Sequence, residues 1–221
     1  NVHLPFCPSR CFSCDRVAVV EHRPEALERY VTNLDRELAI VADAVGTGRE
    51  LARVHFGGGS PNHLSELAIA TIFSSVSRHF LVGNDTQIAM ELNPRRTSRA
   101  QLNFLKGLGI GHVKLEVRDV DATVQREIGR VQSLELLEDV ISIAHGVNFD
   151  SISMDYLIGL PGQTVESSEQ SIQAMISLDP DSLVCLPFHR RESAFPHQIA
   201  VDTHQLPSLA DRLAMFNTVS E

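Results

Sequence analysis

The sequence has no excess of basic residues: 19 lysines and arginines stand against 28 aspartates and glutamates, a net charge of −9. That balance argues against a nucleic-acid groove or an anionic membrane surface as the main partner. No apolar run reaches the roughly 18 residues that span a bilayer, and no signal-peptide pattern precedes the first motif. No linker, low-complexity tract or internal repeat divides the chain, and it does not begin with methionine. Asn1 opens directly inside an apolar segment, so residues 1–221 are expected to be one domain of a longer protein, without its N-terminal start. Cysteines are few as well. Of four, three fall between residues 7 and 14. A disulfide framework would spread them, so a reduced, cytoplasmic metal site is the expectation.

What is present suits a soluble α/β domain. The 221 residues suffice for one core, and 43% hydrophobic with 21% charged residues is ordinary globular composition. Strands are expected at 2–5, 53–56, 87–92, 112–117, 151–158 and 182–186. Helices are expected from Pro24 to Val45, then at 64–80, 99–108, 133–144, 165–178 and 207–218. The first helix carries an apolar stripe of Leu27, Val31, Leu34, Leu38, Val41 and Val45, in steps of three and four. Strand–helix alternation with short loops implies parallel strands joined by crossovers. Six units fall short of a complete eight-unit barrel, leaving a partial (β/α)6 barrel or an open doubly wound sheet.

Three strands carry polar faces where buried parallel strands are usually apolar. Gln87, Ala89 and Glu91 oppose Ile88, Met90 and Leu92. Lys114, Glu116 and Arg118 oppose Val113, Leu115 and Val117. Ser151, Ser153 and Asp155 oppose Ile152, Met154 and Tyr156. Buried charge needs partners or solvent. These faces are expected to line a polar interior near the C-terminal strand ends, where parallel α/β folds bind ligands. An edge strand showing one face to water is the alternative.

Cys7, Cys11 and Cys14 have the spacing C-x3-C-x2-C. Soft thiolates favour zinc or iron–sulfur clusters. A closed zinc site needs a fourth ligand, for which His3, His22 and Cys185 are the candidates. Cys185 otherwise reads as a small hydrophobe in a buried strand. Ten histidines are scattered without an axial-ligand motif.

The segments Val2-His3-Leu4-Pro5-Phe6-Cys7, His55-Phe56-Gly57-Gly58-Gly59-Ser60-Pro61-Asn62 and Tyr156-Leu157-Ile158-Gly159-Leu160-Pro161-Gly162-Gln163-Thr164 accompany the cysteine loop. Together they resemble the radical S-adenosylmethionine (SAM) superfamily, in the branch of the oxygen-independent coproporphyrinogen III oxidases. The resemblance runs from residue 1 to about residue 189. It implies a radical SAM core with a 4Fe–4S cluster on Cys7, Cys11 and Cys14, one iron left open for S-adenosyl-L-methionine. It further implies cofactor contacts at Gly58, Gly59, Ser60, Glu91, Arg118, Arg130 and Asp155, and a C-terminal cover domain beyond this chain. The implied chemistry is reductive cleavage of the cofactor to a 5′-deoxyadenosyl radical. That radical drives oxidative decarboxylation of two propionates of coproporphyrinogen III, giving protoporphyrinogen IX in haem biosynthesis. The partners implied are a tetrapyrrole (or haem) and an electron donor such as flavodoxin or ferredoxin. For a tetra-anionic substrate, Arg10, Arg16 and Arg118 are candidate basic partners.

The chain departs from the oxidase pattern at several places. Asn1 replaces a common tyrosine, Ser13 a phenylalanine, Arg16 a further cysteine, Arg118 a cofactor-contacting glutamine, and Ser60 a threonine. Three other readings remain: a haem-binding chaperone of the same superfamily, which lacks the further cysteine, a radical SAM methyltransferase, and a zinc-stabilised domain.

Overall fold

The computed structural model describes residues 1–220. Strand β1 (Val2–Leu4) is followed by two short pieces, β2 (Phe6–Cys7) and β3 (Val19–Val20). Then come α1 (Pro24–Val45), β4 (Arg53–Gly58), α2 (Glu66–His79), β5 (Gln87–Leu92), α3 (Arg99–Gly107), β6 (His112–Arg118), α4 (Ala122–Glu127), α5 (Leu134–Val147), β7 (Ser151–Ile158), α6 (Val165–Ser177), β8 (Ser182–Pro187) and α7 (Leu209–Ser220). Strands β1, β4, β5, β6, β7 and β8 form one six-stranded sheet in that order, every neighbouring pair parallel. Helices return the chain between successive strands, as parallel pairing requires. The strands lie in chain order without the reversal of a doubly wound sheet, and β1 and β8 are not paired with each other; the architecture is the expected partial (β/α)6 barrel.

Local chemistry starts the helices where the pattern places them. Ser65, Ser98, Ser133 and Thr164 each accept a hydrogen bond from a backbone amide in the first turn of α2, α3, α5 and α6. Each satisfies a donor the helix leaves without a partner. The period-2 pattern of the strands then sorts the faces. Ile88, Met90, Leu92, Val113, Leu115, Val117, Ile152, Met154 and Tyr156 are all buried, in one cluster with Leu102, Leu105, Leu137 and Met175 from the helices. Burying one such side chain stabilises the fold by about 1.5–3 kcal/mol.

Three expectations need correction. The stripe of α1 fails at its end: Val41 and Val45 are exposed, and Ala42 is buried instead. The inward row runs Val31, Leu34, Leu38, Ala42, and since at 100° per residue Val41 falls only about 20° from Leu34 and Val45 falls within the row, the helix's own period does not account for their exposure. Strand β8 lies at the sheet edge and is half-buried, so Cys185 is only partly enclosed. Finally, β2, β3 and α4 had no expected counterpart, because two-residue strands and a six-residue helix are too short to show a period.

Candidate functional site

The cysteine loop leaves the sheet at the C-terminal end of β1. Cys7 lies on β2, which pairs in parallel with β3, and the Val19 amide donates to the Pro5 carbonyl at 2.7 Å. The loop is thus closed at its base. Within it, Cys14 N–H donates to Cys11 O at 3.2 Å, and Phe12 N–H to Ile128 O at 2.9 Å, just after α4. The sulfurs meet polar groups from the barrel. Ser60 Oγ donates toward Cys7 Sγ at 3.7 Å, and Arg130 Nη1 toward Cys11 Sγ at 3.6 Å. All three cysteines are free thiols. Burial pushes the Cys7 and Cys14 thiols above their ordinary value, with neighbouring negative groups adding to it at Cys7.

The three cysteines line one cavity enclosing about 560 Å³, part of it open to solvent. Of the expected cofactor residues, Gly58, Gly59, Ser60, Arg118 and Arg130 line it too, while Glu91 and Asp155 stand behind the lining. Arg10 and Arg16 also face this space. His3, His22 and Cys185, the candidate fourth zinc ligands, do not. Among the described residues, no three His, Cys, Asp or Glu side chains converge as a single metal ion requires. A larger groove of about 1440 Å³, between the starts of α1 and α2, contains none of the cysteines.

Six charged groups run behind and along the cavity in alternating sign. Lys114 Nζ is 2.9 Å from Glu91 Oε1, and Arg16 Nη1 is 2.6 Å from Glu91 Oε2. The same Arg16 nitrogen pairs with Glu116. Arg118 Nη2 lies 3.2 Å from Glu116 Oε1, and Arg118 Nη1 lies 2.9 Å from Asp155 Oδ2. Burial resists ionisation of Glu91, but Arg16, Lys114 and the Gly58 amide outweigh it and hold the carboxyl at about 2. Burial pushes Glu116 up, against the pull of Arg118, Arg16 and Arg130. Burial works against the charge of Arg118 as well, yet Asp155 and Glu116 keep it firmly cationic. Alternation along the row is what makes so many charges tolerable with little water.

The three glycines have an internal explanation. A Cβ on Gly59 would lie 2.6 Å from Phe6 O and 2.7 Å from Pro5 C, and one on Gly57 would lie 2.7 Å from Glu91 Oε2. Gly58 adopts φ 112° and backs onto the His3 ring. The chain's own conformation therefore demands glycine at 58, for its positive φ, and at 59, for the backbone of Pro5 and Phe6, while at 57 only side-chain ends stand in the way.

Glu116, on a polar face expected to line the interior but given no site role, lines the cavity, and so does Asn93, which the sequence did not single out. The polar face of β6 was the available signal for Glu116. Asn93 has none: it follows the end of β5, where its side chain caps the next turn and accepts from Arg130 Nη2 at 3.4 Å.

Several known proteins are similar. An oxygen-independent coproporphyrinogen III oxidase of Helicobacter pylori is 30% identical over 218 residues, covering 98% of this chain and 48% of the relative. That of Pseudomonas aeruginosa is 29% identical, covering 100% and 48%. The solved coproporphyrinogen III oxidase of Escherichia coli superposes with a TM-score of 0.93 at 27% identity, over 99% of this chain and 50% of that one. A radical S-adenosylmethionine methyltransferase from Kitasatospora setae shares the fold alone, at TM-score 0.58 and 14% identity over 90% of this chain and 38% of that one. The chain spans about half the length of the relatives it matches. A loop of three cysteines opening on one cavity at the C-terminal end of a six-unit parallel sheet thus coincides with a family model that matches residues 1–175, and the chain belongs to the radical SAM superfamily.

Proposed function

We propose that this chain is the core of an oxygen-independent coproporphyrinogen III oxidase, one domain of a longer cytoplasmic protein of haem biosynthesis. The observation that carries the reading is the single cavity shared by Cys7, Cys11, Cys14, Gly58, Gly59, Ser60, Arg118 and Arg130. Relatives near 30% identity over nearly the whole chain support the reaction.

The donor set suits a 4Fe–4S cluster. Three soft thiolates on one short loop can each take a different iron, and they need not converge on a point as zinc ligands do. Arg130 is 4% exposed and its Nε is buried without a hydrogen-bond partner among the described residues, a donor available to a bound carboxylate or ribose. When bound, the cluster and S-adenosyl-L-methionine supply a carbon-centred radical able to take hydrogen from an unactivated C–H bond.

The protein's part is to bind, orient and shield. Cys7, Cys11 and Cys14 hold the irons. Gly58, Gly59 and Ser60 present backbone and a hydroxyl beside Cys7. Arg130 would bind the cofactor, and Arg118 lines the same cavity. Glu91 and Asp155 act from behind the lining, by fixing Arg16, Lys114 and Arg118. The guanidiniums of Arg16 and Arg118 are already matched by carboxylates. Arg10 has no carboxylate partner among the described ion pairs and is the best placed to meet a substrate propionate. An electron donor of the flavodoxin or ferredoxin class completes the reaction.

The test is anaerobic reconstitution with iron and sulfide, then incubation with S-adenosyl-L-methionine, a reductant and coproporphyrinogen III. Vinyl formation together with 5′-deoxyadenosine is expected, and Cys11→Ala should abolish both. A Cys11→Ala variant that still makes 5′-deoxyadenosine sinks the ligand assignment. Arg16, where the oxidases carry a further cysteine, favours one second reading, a haem-binding chaperone. Transfer of haem without vinyl formation would identify it.

A further inference from the structure

The segment that follows β8 matched no sequence motif, yet it closes on the cysteine loop. Gln198 is wholly buried, within a short 3-10 turn, Pro196–Ala200. Its amide is engaged at both ends. Oε1 accepts from the Arg191 amide at 2.6 Å, and Nε2 donates to Cys14 O at 3.0 Å and faces Ser13 O at 3.5 Å. Only the NH2 end of the amide can face two carbonyls, so its orientation is determined. His197 Nε2 donates to the same Cys14 carbonyl at 2.8 Å. The Cys14 amide meanwhile donates to Cys11 O at 3.2 Å. Both backbone polar groups of Cys14 are therefore taken. Arg191 adds an ion pair to the next residue, Asp15, at 3.6 Å.

We infer that Gln198, with His197 beside it, is a positioning residue for the cluster, acting through the carbonyl of Cys14. Two donors on one carbonyl fix the peptide plane after Cys14. That plane sets the direction of its Cα–Cβ bond, and so aims the sulfur into the cavity. Groups that orient a metal ligand from behind alter both metal retention and redox potential. The inference rests on the reading of Cys14 as a cluster ligand.

The test compares the full chain with Gln198→Glu, Gln198→Met, His197→Ala and Cys14→Ala, all reconstituted anaerobically. The readouts are iron per chain, the half-time of iron release to a chelator, and the cluster's midpoint potential. Thermal unfolding of the apo-chains checks folding. Gln198→Glu keeps the acceptor for Arg191 but sets a carboxylate against the Cys14 carbonyl. Iron release is expected to quicken several-fold, and the potential to become more negative, because added negative charge disfavours reduction. Gln198→Met keeps the volume without the donor and should also release iron faster. His197→Ala should do so by a smaller factor, and it decides the matter if the Gln198 variants fail to fold. Parental release and potential in every folded variant, while Cys14→Ala loses iron, would overturn the inference. A Cys14→Ala protein that holds the parental cluster, or a parent that takes up no iron, would instead overturn the reading of Cys14.

Discussion

Asp155 grips Arg118 twice, with one oxygen on its backbone and the other on its side chain. Oδ1 accepts from the Arg118 amide at 3.2 Å, and Oδ2 pairs with the guanidinium at 2.9 Å. Arg118 sits at φ 76°, a left-handed conformation unusual for a non-glycine residue. The strand register shifts between Leu115 and Arg118 at this point, and the bend turns the arginine into the cavity. The strain of one such residue is about 1–3 kcal/mol and needs a partner that holds it. Asp155, wholly buried, is that partner. Asp155→Asn should therefore lower the unfolding free energy by about 3–5 kcal/mol, the loss typical of breaking a buried pair. Adding Arg118→Gly should cost less than the sum of the two single losses, since the strain goes and this pair's charges leave together, even though Glu116 then loses one of its cationic partners. Urea unfolding of the two single variants and the double variant measures this, and strictly additive losses would show that the pair does not act as one.

Glu91 makes acid stability a readout of the charged row. Its folded carboxyl, at about 2, lies below the ordinary value near 4.3 of an unfolded chain. A depressed carboxyl contributes stability that is fully present above the unfolded value and is lost as pH falls toward the folded one. The window is thus from about pH 4.5 down to about pH 2. The contribution is about 3 kcal/mol at most, from roughly 1.4 kcal/mol per pKa unit. Glu91→Gln should be less stable than the parent at pH 6, with the gap closing as pH drops through that window. Thermal unfolding of both apo-chains across pH 6 to 2.5 is the measurement. A gap that stays constant would mean that Glu91 acts by shape and not by charge.

Much of this molecule could be read from residue order, and the exceptions have physical causes. Strands 87–92 and 151–158 coincide with β5 and β7, because six to eight alternating residues average out any local ambiguity. The cysteine loop and its glycines were legible as short-range patterns. What joins the loop to the barrel was not. Arg16 meets Glu91 and Glu116, 75 and 100 residues away along the chain, and His197 and Gln198 reach back more than 180 residues to Cys14. No local period carries such contacts. Nor does residue order show that the backbone of Pro5 and Phe6 needs the room at Gly59, and the His3 ring the room at Gly58.

That internal crowding separates the glycines by experiment. Gly59→Ala drives a methyl group into the backbone of Pro5 and Phe6, which cannot move without disturbing β1, β2 and the loop they carry. A loss of about 2–3 kcal/mol is expected, the range of overpacked sites. Gly57→Ala meets only the end of Glu91 and the His55 ring, and those side chains can rotate away. Its stability loss should be smaller, but Glu91 would then lose its hold on Arg16. Chemical unfolding ranks the two variants. Equal losses would mean that the loop yields as readily as a side chain.

Gln163 links the loops after β6 and β7. Its Oε1 accepts from the amides of Gly159 and Leu160 at 2.7 and 2.8 Å. Its Nε2 donates to Asp119 Oδ2 at 2.6 Å and Leu157 O at 2.7 Å, with Tyr156 Oη at 3.1 Å. Arg118 and Leu157, both facing the cavity, sit on the strands whose ends this amide joins. Gln163→Leu keeps the bulk and strands two amides and a carboxylate. At about 1–3 kcal/mol for each buried unsatisfied group, a loss of about 3 kcal/mol or more is expected. Burial already raises the Asp119 carboxyl, against the hydrogen bond from Gln163. A raised carboxyl weakens the fold as pH climbs from the unfolded value, near 3.9, through the folded one. Removing Gln163 raises it further, so the deficit of Gln163→Leu should be larger at pH 7 than at pH 4. Urea unfolding at both pH values measures it. A deficit equal at the two would leave the lost hydrogen bonds standing and refute the link to Asp119.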